Sequence, residues 1–137
     1  MKDYNAIFNA SYERITKRYY DEFIEIFYYK LTSKCPDIKS RIEALDMNTQ
    51  RHVFKHSLAY MVYFSSVRVS DDDLTKLAIR HQTMGIKDSQ FPLWLDAFVE
   101  TLPQVDSRYT DDDADAWRII LSPSIEFMKC ISHRVKP

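Results

Sequence analysis

An all-α fold is the reading this 137-residue sequence supports, and three observations carry it. One glycine and no Asn-Gly or Asp-Gly pair leave almost no material for tight β-hairpins. Apolar residues recur at helical spacing along nearly the whole chain. Prolines and capping residues stand where those periodic stretches break.

The elements follow in order. Phe8, Tyr12 and Ile15 mark a first helix from about Asp3 to Lys17. Tyr20, Phe23, Ile24, Phe27, Tyr28 and Leu31 mark a second, which stops before Pro36 because the residue preceding a proline avoids the α region. Pro36 can itself open a short helical turn to Arg41. Asp46 reads as the N-cap of a longer helix with Gln50, Phe54, Ser57, Leu58 and Met61 on one face. Ser70 with Asp73 three residues on reads as another N-cap and acidic first turn. Gly85 then stands where that helix should end, since glycine takes the left-handed C-cap conformation without steric cost. Asp88 can cap a helix with Pro92 in its first turn, running through Trp94, Leu95, Phe98 and Leu102 until Pro103. Thr110 caps the last helix, which carries Trp117, Ile120, Leu121, Ser124, Phe127, Met128 and Ile131 inward. Pro123 is expected to kink it.

Composition bounds the function. With 45% hydrophobic and 14% aromatic residues the chain can fill a substantial core, and residues 1–137 read as one domain. A net charge of -1 offers no field for nucleic acid or an anionic membrane surface. The acidic runs Asp71–Asp73 and Asp111–Asp113 each follow a Ser or Thr and are explained as helix N-termini. Cys35 and Cys130 form no spaced framework, so reduced thiols are expected. No stretch reaches transmembrane length and the N-terminus lacks an apolar signal core, which points to the cytoplasm.

Chemistry concentrates at His81. Leu74, Leu77, Ala78 and His81 fall at i, i+3, i+4 and i+7, so the imidazole points where the apolar side chains point. A short capped helix with a histidine on its buried face can present an axial ligand to a flat iron cofactor. A core histidine hydrogen-bonded to a neighbour satisfies the same pattern.

Three blocks separate these readings: Phe27-Tyr28-Tyr29-Lys30-Leu31 with Cys35-Pro36-Asp37-Ile38-Lys39, then Gln50-Arg51-His52-Val53-Phe54, then Leu77-Ala78-Ile79-Arg80-His81. Gly85-Ile86-Lys87 and Phe91 continue the third. In order and spacing they resemble the globin family, and within it bacterial single-domain globins and the haem domains of flavohaemoglobins, over nearly the whole chain. The resemblance implies helices packed around a haem b pocket, with His81 as the proximal iron ligand. It also implies Tyr28 and Gln50 as distal hydrogen-bond donors, and a pocket that includes Ile42, Phe54, Leu58, Leu77 and Phe91. The carbonyl of Leu77, one turn back, is expected to fix the second ring nitrogen of His81. Phe27, Phe54 and Leu58 are expected to form an oily distal wall that strengthens polar contacts. Arg51, Arg80 and Lys87 are the candidates to meet the haem carboxylates.

Two departures stand out. Most globins carry a phenylalanine six residues after the proline of the short third helix, where this chain has Ile42. Flavohaemoglobins place a tyrosine and a glutamate behind the proximal histidine; the matching positions here are Phe91 and Ser132. His52 and His56 form an i, i+4 pair two residues off the haem face, and a solvated pair is favoured over a metal site or a sixth ligand.

The expected function is reversible binding of oxygen or a related diatomic gas, a binding protein rather than an enzyme. The alternatives are a nitric-oxide dioxygenase served by a separate reductase, since no flavin or nicotinamide module is recognised, and a haem-based gas-sensor module.

Overall fold

In the computed structural model, residues 2–67, 72–83 and 85–134 are described, without the side chains of residues 67, 73 and 131–134. The Ser70 cap and the Ser132 side chain lie outside these. Among the described residues there are seven α-helices, two 3₁₀ turns and no strand. The helices are α1 Tyr4–Lys17, α2 Tyr20–Lys34, α3 Lys39–Glu43, α4 Met47–Val67, α5 Asp72–Thr83, α6 Phe91–Val105 and α7 Asp111–Arg134. The 3₁₀ turns Pro36–Ile38 and Asp88–Gln90 lead into α3 and α6.

Local chemistry sets most of these boundaries. Asp3 accepts from the Ala6 amide and opens α1. Asp46 accepts from the Asn48 amide and the Thr49 hydroxyl at the head of α4. At the head of α7 the Thr110 amide and hydroxyl both donate to the Asp113 carboxylate, and the Asp113 amide donates back to the Thr110 carbonyl. The end of α5 is a Schellman turn: the Ile86 amide donates to the His81 carbonyl and the Gly85 amide to that of Gln82. Gly85 has φ +80°, the left-handed conformation this closure needs.

Two boundaries differ from expectation. Ahead of α6 the Gln90 side chain accepts from the Lys87 amide at 2.7 Å, which closes the Asp88–Gln90 turn, and Gln90 rather than Asp88 stands at the N-cap of α6. At its foot, α6 runs through Pro103 to Val105, because a proline this near the C-terminus removes only one bond of the last turn. The last helix likewise continues through Pro123, with the flanking hydroxyls of Ser122 and Ser124 donating to the carbonyls of Arg118 and Met61.

Helix α7 is the spine, packing on α1, α4, α5 and α6, while α2 packs along α6. An aromatic core joins them. Phe8 and Phe98 each meet the Trp117 ring at 4.7 Å, and Phe23 contacts Phe98 at the same distance. The indole of Trp117 donates to the buried Ser11 hydroxyl at 2.8 Å, which removes the cost of burying that polar edge. This packed half supports a second half, between α2, α4, α5 and α6, that encloses a cavity.

Candidate functional site

The cavity measures about 220 Å³. Its walls are mainly apolar: Leu31 and Ile38, then Val53, Phe54, Leu58 and Met61 from α4, then Leu77, Ile86, Phe91 and Trp94, with Ile125 and Met128 from α7. All eight site residues named from sequence border it: His81, Leu77 and Phe91, Ile42, Phe54 and Leu58, and Tyr28 with Gln50. They come from five separate segments. Phe27 is the exception within the expected oily wall. It is fully buried behind the cavity, packed on Phe54 and Tyr28 at 5.3 and 5.2 Å.

On α5, the His81 ring is held by a 2.8 Å hydrogen bond between Nδ1 and the Leu77 carbonyl. A carbonyl can only accept, so Nδ1 carries the proton. Burial pushes the imidazole below its ordinary pKa; the Leu77 bond opposes this and the neighbouring Arg80 reinforces it. The ring is therefore neutral near pH 7, and Nε2 keeps its lone pair. A fixed, neutral, half-buried imidazole nitrogen at the wall of an apolar cavity has the chemistry that a metal donor needs. Phe91 lies behind it at 6.2 Å between ring centres and offers no hydrogen-bonding group.

The polar pair opposite is built by α2 and α4. Gln50 Nε2 donates to the Tyr28 hydroxyl at 2.8 Å. Both side chains line the cavity and are bonded to one another. Gln50 fills an acceptor position on the tyrosine oxygen and leaves the hydroxyl hydrogen to turn into the cavity. Burial raises the Tyr28 pKa to about 12, with the Gln50 bond partly offsetting it, so that hydrogen is retained at every physiological pH.

Two other polar groups at the wall are occupied. Ser57 donates to the Val53 carbonyl at 2.8 Å. Gln90, unremarked in the sequence, accepts from the Lys87 amide and donates to Asp37 and to the buried Cys35 sulfur. Trp94 and Met128 were legible as inward-facing positions and Ile125 was not singled out, and nothing in the chain said that the three would meet α4 and α5. Ile42 lines the cavity where the resemblance would put an aromatic ring, leaving a smaller side chain at that wall. His52 and His56 are both exposed, as their helix register implied. Among the described residues no three His, Cys, Asp or Glu side chains gather into a metal cluster.

No protein-family model and no curated protein matches the sequence. The fold does find a match in a crystal structure from Pseudomonas aeruginosa PAO1, of a protein described as structurally highly homologous to a human hemoglobin. The TM-score is 0.83 at 24% identity, covering 94% of this chain and 98% of that one.

Proposed function

We propose that this chain, whose fold is that of a haemoglobin, is a haem globin that reversibly binds oxygen or a related diatomic gas. The observation that carries the reading is the pairing across one apolar cavity of a neutral, Nδ1-anchored His81 with a Tyr28 hydroxyl free to donate. The residues fit the group. His81 Nε2 would ligate the iron, with Leu77, Phe91, Phe54, Leu58 and Ile42 against the macrocycle. The sequence has no Cys-x-x-Cys-His attachment motif, so the haem would be b-type and held non-covalently.

Bound haem supplies an iron centre with an open position for a diatomic gas. The protein supplies its surroundings. The Leu77 carbonyl fixes the ring orientation of His81 and its tautomer. Gln50 orients the Tyr28 hydroxyl, whose hydrogen then favours a gas that becomes polarised on binding. In a dry setting such a bond contributes about 1.5–3 kcal/mol. The apolar wall excludes water that would promote loss of an electron from the iron.

Phe91 favours binding over catalysis, since a phenyl ring cannot strengthen His81 as an electron donor. Haem titration followed by absorption spectroscopy tests the reading. The parent should give a ferrous spectrum that changes with oxygen and carbon monoxide. His81→Ala should bind haem weakly, or regain a parent-like spectrum only with added imidazole. An unchanged spectrum in His81→Ala would overturn it.

A further inference from the structure

We propose that Arg41 clamps an acidic side chain of the porphyrin at the open side of the cavity, a role that rests on the haem reading above. Arg41 belongs to α3 but reaches across to the end of α5. Its Nη2, Cζ and Nη1 lie 3.6, 3.8 and 3.9 Å from where a side chain at Gly85 would begin. The guanidinium thus covers the backbone just beyond the His81 helix. Its Nη1 is buried and has no hydrogen-bond partner among the described residues. A charged donor left in that state is costly, and an anion is what would satisfy it.

The surroundings indicate which anion. Ile42 and Leu45, beside Arg41 in sequence, line the cavity, as do Ile86 and Arg80 from the far wall. These four are partly or fully exposed, whereas Leu58, Met61, Ile125 and Met128 at the back are buried. A cofactor with an apolar body and acidic side chains along one edge would place that edge here. The planar fork of arginine matches a carboxylate with two parallel N–H groups.

Neighbouring charges are directed elsewhere. Asp37 contacts Lys87 at 3.7 Å and accepts from Gln90, and Glu43 faces Lys39 at 3.8 Å. Arg51, a candidate from sequence, also has a buried Nε without a hydrogen-bond partner among the described residues, but that nitrogen faces Asp21 at 3.8 Å at the start of α2, and the Arg51 carbonyl accepts from the Tyr20 hydroxyl. That leaves Arg80, which lines the cavity, and Arg41, next in sequence to the lining residue Ile42 and packed against Gly85.

The test uses metal-free protoporphyrin IX and its dimethyl ester, so the readout does not depend on iron. Binding is followed through quenching of Trp94, which lines the cavity. The parent should bind the free acid more tightly than the ester by about 10- to 100-fold, the size of one charged hydrogen bond. Arg41→Met should cut that ratio by about tenfold, and Arg41→Gln, which keeps length and polarity, should do the same. Arg51→Met should keep the parent ratio. Each ratio is taken within one protein, so a variant of lower stability still reports. A parent ratio in both Arg41 variants, or a parent that binds acid and ester equally, overturns the clamp and leaves the haem reading standing. A parent that binds neither porphyrin overturns both.

Discussion

Replacing Tyr28 with Phe deletes the hydroxyl that Gln50 holds while keeping the ring against Phe27 and Phe54. Oxygen release from the haem-loaded protein should accelerate by about 10- to 100-fold, as expected for one hydrogen bond to a charged acceptor, with little change for the less polarised carbon monoxide. Because Gln50 acts through the tyrosine oxygen, Gln50→Leu should give a smaller effect. The double variant should match Tyr28→Phe, which stopped-flow oxygen displacement would measure; full additivity would mean two separate donors. His81 gives a second test, on the metal-free protein. Its pKa lies below the ordinary 6.5 in the folded state, so between the two values the unfolded chain binds a proton that the folded chain rejects. Stability from this group is therefore complete above about pH 6.5 and is lost as pH falls through the lower folded value. The urea midpoint should fall less for His81→Leu than for the parent between about pH 7.5 and 5.5; parallel losses would assign the pH dependence elsewhere.

Among the elements, the ends of α1, α6 and α7 are locked by Arg14, whose Nε and Nη2 donate to Asp106 and Asp113 at 2.9 and 2.8 Å. Both carboxylates are buried, at 1% and 7% side-chain exposure, so Arg14→Met strands two charges rather than removing one contact. A loss of about 3–5 kcal/mol in urea unfolding is expected. Glu13→Gln, which breaks the exposed pair with Lys17, should cost less than about 0.5 kcal/mol. Sequence alone gave half of this arrangement. The run Asp111–Asp113 was legible as an acidic helix start, because capping is local. Its third carboxylate also binds a guanidinium 99 positions away in sequence, and no helical pattern carries that information. Gly85 was legible for the same local reason. Gly85→Ala should cost roughly 1–2 kcal/mol, because φ +80° strains any residue with a Cβ.

For the whole molecule, an aromatic core around Trp117 supports a second half that encloses the cavity. Any occupant that binds only the folded chain adds stability by mass action, about 2.7 kcal/mol at 100 times its Kd. For a domain of this length that corresponds to a rise of roughly 10 °C in Tm on saturation with haem, checked by calorimetry with and without it. An unchanged Tm would mean that no such site is filled. The eight site residues could be named in advance because the helix faces carrying them, and the blocks that resemble known globins, are written along the chain. Trp94, Ile125, Met128 and Arg41 could not. Their part depends on which helices cross, and helical periodicity says which side faces inward without saying what it will face.

The Schellman turn gives His81 a second duty. Its side chain borders the cavity while its own carbonyl receives the Ile86 amide that reverses the chain after α5. One residue thereby couples a pocket wall to a backbone proton that can be followed without any label in the site. Exchange of the Ile86 amide with deuterium requires that this turn open, so its rate measures how often the histidine helix loosens at its foot. Filling the cavity should slow that exchange, whereas amides at the far end of α1 should keep their rates.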